Sequence, residues 1–149
     1  MTLDIYFACS ISGGRDSEDV ARYTALVRHL QLWGNVLSEH FLTLTSTGDK
    51  DDTLAHDRDL TWLLQAPITV AEVSTPSHGV GYELGRLAER LSQAPGLHHV
   101  LCLRKAPQDK KLSSMIAGCP QLQVRTYTVV DEAFTHIDTF FAALGYQKK

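Results

Sequence analysis

Apolar segments that alternate at short intervals with helical patterns predict an α/β protein, a doubly wound five-stranded parallel sheet flanked by helices. Two further observations agree. The 149 residues, 44% hydrophobic and 21% charged, suit one domain with a single core, spanning residues 1–149. Small, glycine-bearing loops also stand after the first and third apolar runs, where such a sheet binds its ligand.

The first strand is Leu3 to Cys9, followed by the loop Ser10 to Arg15. Val20, Tyr23, Val27 and Leu30 then recur at helical spacing, with Asp16 or Ser17 as N-cap and Gly34 as the stop. Asn35 to Ser38 makes a short second strand, and the polar stretch Thr43 to Thr53 has the composition of a loop. Leu54, Leu60, Leu63 and Leu64 mark the second helix. Ile68 to Val73 is the third strand, Val80 to about Gln93 the third helix, and Val100 to Leu103 the fourth strand. A short helix, Leu112 to Ala117, precedes the strand Gln123 to Val129, and Glu132 to Leu144 closes the domain. The expected strand order is 2-1-3-4-5, which brings the Ser10 to Arg15 and Ser74 to Gly81 loops together at the switch point between strands one and three.

Charge and composition narrow the function. A net charge of −3 with no dense basic run lacks a duplex-binding footprint and favours a small-molecule partner over nucleic acid. No apolar stretch approaches the roughly 20 residues that span a bilayer, and the N-terminus lacks the regions of a signal peptide, so no membrane partner is expected. The protein is expected in the cytoplasm, or in the nucleus continuous with it. Cys9, Cys102 and Cys119 are odd in number and read as buried thiols of a reducing compartment.

The most informative segment is Ser77-His78-Gly79-Val80-Gly81-Tyr82-Glu83-Leu84-Gly85-Arg86. It places Glu83 in the first turn of a helix entered through a glycine loop, where the helix dipole and unpaired N–H groups favour the carboxylate anion. Gly79 and Gly81 remove side chains where backbone would meet a ligand, and Gly85 sits inside the helix at a cost of roughly 1 kcal/mol relative to Ala. Something is expected to pack close to this turn. Asp59, 24 residues earlier on the second helix, would by itself be a solvated residue; beside Glu83 it supplies the second acidic group that glycosidic cleavage commonly uses. The Ser10 to Arg15 loop, with Ser10, Ser12, Gly13 and Arg15, has the makings of an anion cradle at a helix start, or of a plain tight turn; the switch-point rule favours phosphate binding.

Other patterns fail. The first loop lacks the spacing and lysine of a Walker A motif. Asp49, Asp51 and Asp52 are not a calcium loop, because Leu54 and Leu60 stand where glycine and glutamate are needed. His56 and Asp59 have no third metal ligand spaced with them. Gly79, Gly81 and Gly85 resemble a dinucleotide fingerprint but follow the third strand. His78 reads as a loop residue, and no G-x-S-x-G elbow supports a serine hydrolase.

Tyr6-Phe7, Ser10-Ile11, Gly13-Gly14-Arg15, Asp59-Leu60, Trp62-Leu63, Val70 to Val73, Pro76-Ser77, Gly79 to Arg86, Leu101 to Leu103, Leu112-Ser113 and Met115-Ile116 together carry a resemblance. The sequence resembles the 2′-deoxynucleoside 5′-phosphate N-hydrolase family, within the nucleoside 2-deoxyribosyltransferase-like superfamily, from residue 5 to about residue 118. The resemblance implies a doubly wound homodimer that hydrolyses the bond between base and 2-deoxyribose 5-phosphate of a nucleotide substrate, with no metal or organic cofactor. It implies that Glu83 is the nucleophile of a covalent glycosyl-enzyme ester, that Asp59 is the acidic partner near sugar and base, and that Tyr6 packs at the sugar and orients the carboxylate. Ser10, Ile11, Gly13, Ser77 and Gly79 match phosphate-loop positions, and Ser113 matches a serine that reaches the phosphate from the neighbouring subunit. Cys9 and Ser12 depart from the pattern, standing where animal members commonly have glycine and an arginine that faces the phosphate. Two rival readings are a nucleoside 2-deoxyribosyltransferase, in which a second base takes the sugar, and a nucleotide-binding module without turnover.

Overall fold

A computed structural model of the chain describes residues 2–11, 15–38 and 51–149. The elements run β1 (Asp4–Ala8), α1 (Ser17–Leu30), β2 (Asn35–Val36), α2 (Asp52–Gln65), β3 (Ile68–Glu72), α3 (His78–Gln93), β4 (His99–Lys105), α4 (Ser114–Ala117), β5 (Gln123–Tyr127) and α5 (Val130–Ala143). Five parallel strands form one sheet in the order β2-β1-β3-β4-β5, as the alternating pattern predicts. The crossovers between these parallel strands place helices on both faces. α1 packs with α5 on one face, and α2 with α3 on the other.

Register decides what each face receives. Ile5 pairs with Ile68, Phe7 with Val70, and Ala8 with Ala71. Because successive side chains point to opposite faces, Phe7 meets the Tyr23 ring of α1 edge-on at 6.1 Å, while Tyr6 turns toward α3. Every residue of β3 is buried, including the charged Glu72 at its end.

Local chemistry explains the differences from the sequence expectations. β2 stops at Val36 because the Ser38 hydroxyl takes over the ladder, accepting from the Phe7 N–H and donating to the Phe7 carbonyl, each at 2.8 Å. Gly34 does not stop α1. Gln31 ends that helix, and Gly34 is there because a Cβ would lie 2.4 Å from the Leu3 carbonyl oxygen. β5 ends at Tyr127 rather than Val129, since Thr128 turns the chain by hydrogen bonds from its N–H (2.7 Å) and hydroxyl (3.0 Å) to the Glu132 carboxylate. The expected Thr43 to Thr53 loop lies outside the described residues up to residue 50; Asp51 then caps α2, and Asp52 and Thr53 belong to that helix. Asp49 likewise lies outside the described residues. Cys9 and Cys102 are buried and Cys119 is partly exposed, all three as free thiols.

One buried histidine makes the fold sensitive to acid. His98 is buried with its Nε2 2.9 Å from the Thr69 hydroxyl. Burial, helped by the positive charges of Arg90 and His99, pushes its pKa down from 6.5 to about 4. An unfolded chain therefore binds a proton below pH 6.5 that the folded chain refuses until about pH 4, so stability falls as pH drops through that window. The expected loss by pH 4.5 is roughly 2–3 kcal/mol. Urea unfolding of wild type and His98→Gln at pH 7 and 4.5 checks it. The two should converge at the lower pH, and parallel behaviour would remove His98 as the cause.

Candidate active site

The candidate site forms where the carboxyl ends of β1 and β3 face α2 and α3. Ser77 opens α3, its hydroxyl accepting from the Val80 N–H at 3.2 Å. That cap starts the helix at His78, two residues before the expected Val80, which corrects two sequence expectations. Gly79 and Gly81 lie inside α3 rather than in a loop leading into it, and Glu83 lies in the second turn. Glu83 is thus beyond the free N–H groups of the first turn, and the dipole does not hold it as an anion.

Burial governs Glu83 instead. Its Oε2 is buried with no hydrogen-bond partner among the described residues. Desolvation pushes the carboxyl up to about 8, a hydrogen bond from Tyr6 works the other way, and the negative charge of Asp59 raises it further. Tyr6, fully buried on β1, has its hydroxyl pushed far above its usual value by burial and then by the charges of Glu83 and Asp59, so it remains a hydrogen-bond donor. Asp59 reaches the same neighbourhood from α2, half-buried and held by the Arg58 guanidinium, whose Nε donates to Oδ1 at 2.8 Å. Arg58 also lies over the Trp62 ring. Glu83, Asp59 and Tyr6, spread over 78 residues of sequence, are brought together.

The loop residues are placed in part. Ser10 is fully buried, and its hydroxyl has no hydrogen-bond partner among the described residues. Ile11 packs against the core. Arg15 is close enough for its charge to pull down the Cys9 thiol, which burial raises to about 12. Ser12 and Gly13 lie outside the described residues. Gly79 sits beside Ser77, whose hydroxyl would be 3.7 Å from an added Cβ.

Ser113 is not brought to Glu83 within one chain. It caps α4 and lines a cavity of about 800 Å³ between α3 and the segment from β4 to α4. Gly81, Gly85, Ala88 and Ser92 of α3 line that cavity, whereas Glu83 projects from another side of the helix. Among the described residues nothing beyond the adjoining helix lies within 4 Å of a Cβ built at Gly81 or Gly85, so they do not supply the close packing expected at this turn. His78, the residue expected in a loop, is the first residue of α3 and also lines the cavity.

Two groups escaped the sequence reading. His56 pairs with Asp57 at 2.9 Å and with the Tyr82 hydroxyl at 3.0 Å, and Arg86 donates to that hydroxyl at 2.8 Å, linking the starts of α2 and α3. Arg22, Asp19 and Glu72 form a second cluster on the opposite face of the sheet. Only the carboxylate in the apolar run Ile68 to Val73 hinted at it.

A doubly wound sheet with a buried, incompletely hydrogen-bonded carboxylate at its switch point has the features of a small-molecule site. Comparison with known proteins agrees. No protein-family model matches the chain. It is 42% identical over 149 residues to the 5-hydroxymethyl-dUMP N-hydrolase of Danio rerio, covering 95% of this chain and 98% of that protein. A protein of Nematostella vectensis named, as a provisional assignment, 2′-deoxynucleoside 5′-phosphate N-hydrolase 1 is 43% identical over 123 residues, 79% of this chain and 78% of the relative. Among solved structures, the CMP N-glycosidase BcmB of Clostridium botulinum superposes with a TM-score of 0.66 at 13% identity, covering 92% of this chain and 98% of that one, which is a likeness of fold. The chain belongs to the 2′-deoxynucleoside 5′-phosphate N-hydrolase family.

Glu83 should cost the fold stability. With a folded pKa of about 8 against an ordinary 4.5, its penalty is absent below pH 4.5 and grows until the folded carboxyl ionises near pH 8. Glu83→Gln is therefore expected to stabilise the protein at pH 7 by up to about 3 kcal/mol. Thermal unfolding at pH 7 and pH 4.5 checks it: a gain in Tm at pH 7 that shrinks at pH 4.5 is the expected result.

Proposed function

We propose that this protein hydrolyses the N-glycosidic bond of 2′-deoxynucleoside 5′-monophosphates to free base and 2-deoxyribose 5-phosphate, through a covalent ester on Glu83. The N-glycosidase activity on deoxynucleoside monophosphates rests on the family to which the chain belongs. The observation that carries the Glu83 role is its buried carboxyl, with Oε2 unpartnered among the described residues and with Tyr6 and Asp59 beside it.

In the proposed reaction an ionised Glu83 oxygen attacks the anomeric carbon. The bond to the base nitrogen breaks, its electron pair leaving with the base, and Asp59 supplies the proton the base needs. Water then attacks the same carbon, Asp59 takes a proton from it, and the ester bond opens to return Glu83 as carboxylate. Tyr6, its hydroxyl protonated beside Glu83, orients the carboxylate and favours its charged form. The 5′-phosphate lies at the start of α1, held by the Ser10, Ile11, Ser12, Gly13 and Arg15 loop, with Ser77 and Gly79 from α3. The buried Ser10 hydroxyl, without a hydrogen-bond partner among the described residues, supports this placement.

A homodimer completes the site, with Ser113 of each chain reaching the phosphate of the other. The open cavity beside Gly81 and Gly85, which Ser113 lines together with Ser77, supports the docking of a second chain on this face.

Product analysis after incubation with a panel of deoxynucleotides, with and without a free acceptor base, tests the reaction. Free base and 2-deoxyribose 5-phosphate are expected in both cases, and transfer to the acceptor would make the protein a transferase. Glu83→Gln should lose at least about a thousandfold in kcat while still binding substrate. For wild type, kcat/KM should rise with pH as Glu83 ionises, reach half its maximum near pH 8 and level off above it; a near-native Glu83→Gln rate removes the nucleophile assignment. Mixing Glu83→Gln with Ser113→Ala subunits should raise activity several-fold over the separate proteins, since each mixed dimer regains one intact site. A fully active monomer excludes the shared site.

A further inference from the structure

Glu72 is the last residue of β3 and is fully buried in a strand whose other members are Ile68, Thr69, Val70 and Ala71. A buried carboxylate is costly unless its oxygens are satisfied. Here they are: Oε2 accepts from Arg22 Nε at 2.8 Å and from the Tyr127 hydroxyl, and Oε1 accepts from the Ser74 N–H at 2.7 Å. The Ser74 contact fixes the backbone where β3 passes into the loop leading to Ser77. The Ser74 hydroxyl accepts in turn from the Lys105 N–H at 2.7 Å.

The other arm of the network reaches α1. Arg22 also donates through Nη2 to Asp19. Asp19 is the far member of the capping box that starts α1, its Oδ2 accepting from the Asp16 N–H at 3.0 Å while its own N–H donates to Asp16 at 2.9 Å. The Thr75 hydroxyl adds a long contact to Asp19 at 3.4 Å. One connected set of bonds therefore runs from Asp16, directly after the Ser10 to Arg15 loop, to Thr75, two residues before Ser77.

We infer that Glu72, Arg22 and Asp19 are positioning residues that lock the two ligand loops at the switch point to one another, and so set the affinity for the 5′-phosphate of the substrate. This rests on the reading that those loops hold the phosphate. None of the three is catalytic. They lie on the sheet face covered by α1, whereas Glu83 and Tyr6 face α2 and α3, so loosening them displaces phosphate donors without disturbing the attacking carboxylate. An apolar trio of similar volume would fill the same space, but it would not fix two loops in a defined relation through directed hydrogen bonds.

The test compares a deoxynucleoside monophosphate with its free deoxynucleoside in wild type, Arg22→Met, Arg22→Lys and Thr75→Val. Arg22→Met keeps the apolar stem and removes the fork. It should raise KM for the monophosphate about tenfold, the loss expected for misplacing one charge-assisted hydrogen bond, with kcat held within about threefold and the nucleoside unaffected. Arg22→Lys, able to reach one carboxylate but not both, should recover part of the loss. Thr75→Val keeps shape and leaves the ion pairs intact, so it should fold like wild type and raise the same KM by a few-fold; it decides the matter if Arg22→Met does not fold. Unchanged monophosphate KM in these variants, or an equal loss of kcat on both substrates, overturns the positioning role. A wild type that cleaves nucleoside and monophosphate equally well shows instead that the loops hold no phosphate, a failure visible before any variant is made.

Discussion

The alternation of side chains along β1 and β3 is the constraint on which the rest of the molecule depends. Both strands are buried on two faces, so each residue is committed to one helix layer or the other by its parity alone. Tyr6 goes to the α2–α3 side and meets Glu83; Phe7 goes to the α1 side and meets Tyr23. Glu72, an even step from Ile68 and Val70, goes to the α1 side and meets Arg22. A one-residue slip in either strand would exchange the contents of the two layers. The same pairing that builds the core thus separates the face of the proposed chemistry, with Tyr6 and Glu83, from the face of the Glu72–Arg22 cluster.

The two buried glutamates are treated in opposite ways, and the difference matches the roles proposed for them. Glu72 is supplied with an arginine, a tyrosine and a backbone N–H, which makes it a fixed structural anion. Glu83 is left with a buried oxygen unpartnered among the described residues and a carboxyl that resists ionisation. A carboxylate so poorly solvated is a better nucleophile than one fully hydrogen-bonded, and it is destabilising until something occupies the space in front of it. In the proposed reaction that occupant is the sugar.

Sheet order and helix positions were legible in the sequence because they follow from apolar periodicity, and the Gly79 to Arg86 block with Asp59 and Tyr6 was legible because residue type and order survive without coordinates. The start of α3 was not. Glycine content suggested a loop, and the Ser77 hydroxyl, by capping the helix at His78, overrode it and carried Glu83 into the second turn. Gly34 misled in the opposite sense, its lack of a side chain answering to the Leu3 carbonyl just ahead of β1 rather than to the end of α1. The Glu72 cluster was hidden because its partners are 50 and 55 residues away along the chain, where no local spacing can pair them.

Gly81 and Gly85 carry the last step. Each sits within α3, where glycine in place of alanine costs about 1 kcal/mol, and among the described residues nothing beyond the adjoining helix comes within 4 Å of the Cβ that either lacks. Neither has positive φ, so backbone conformation does not demand glycine. Their contribution is then to an approach from outside the chain. The cavity they line also holds Ser113 and Met115, the latter 84% exposed, an unfavourable setting for a large apolar side chain that stays in water. A second chain laid on this face would cover Met115, use the space at the two glycines, and carry its own Ser113 toward the α3 N-terminus. The open cavity, the two glycines and the exposed Met115 are together the support for the proposed dimer.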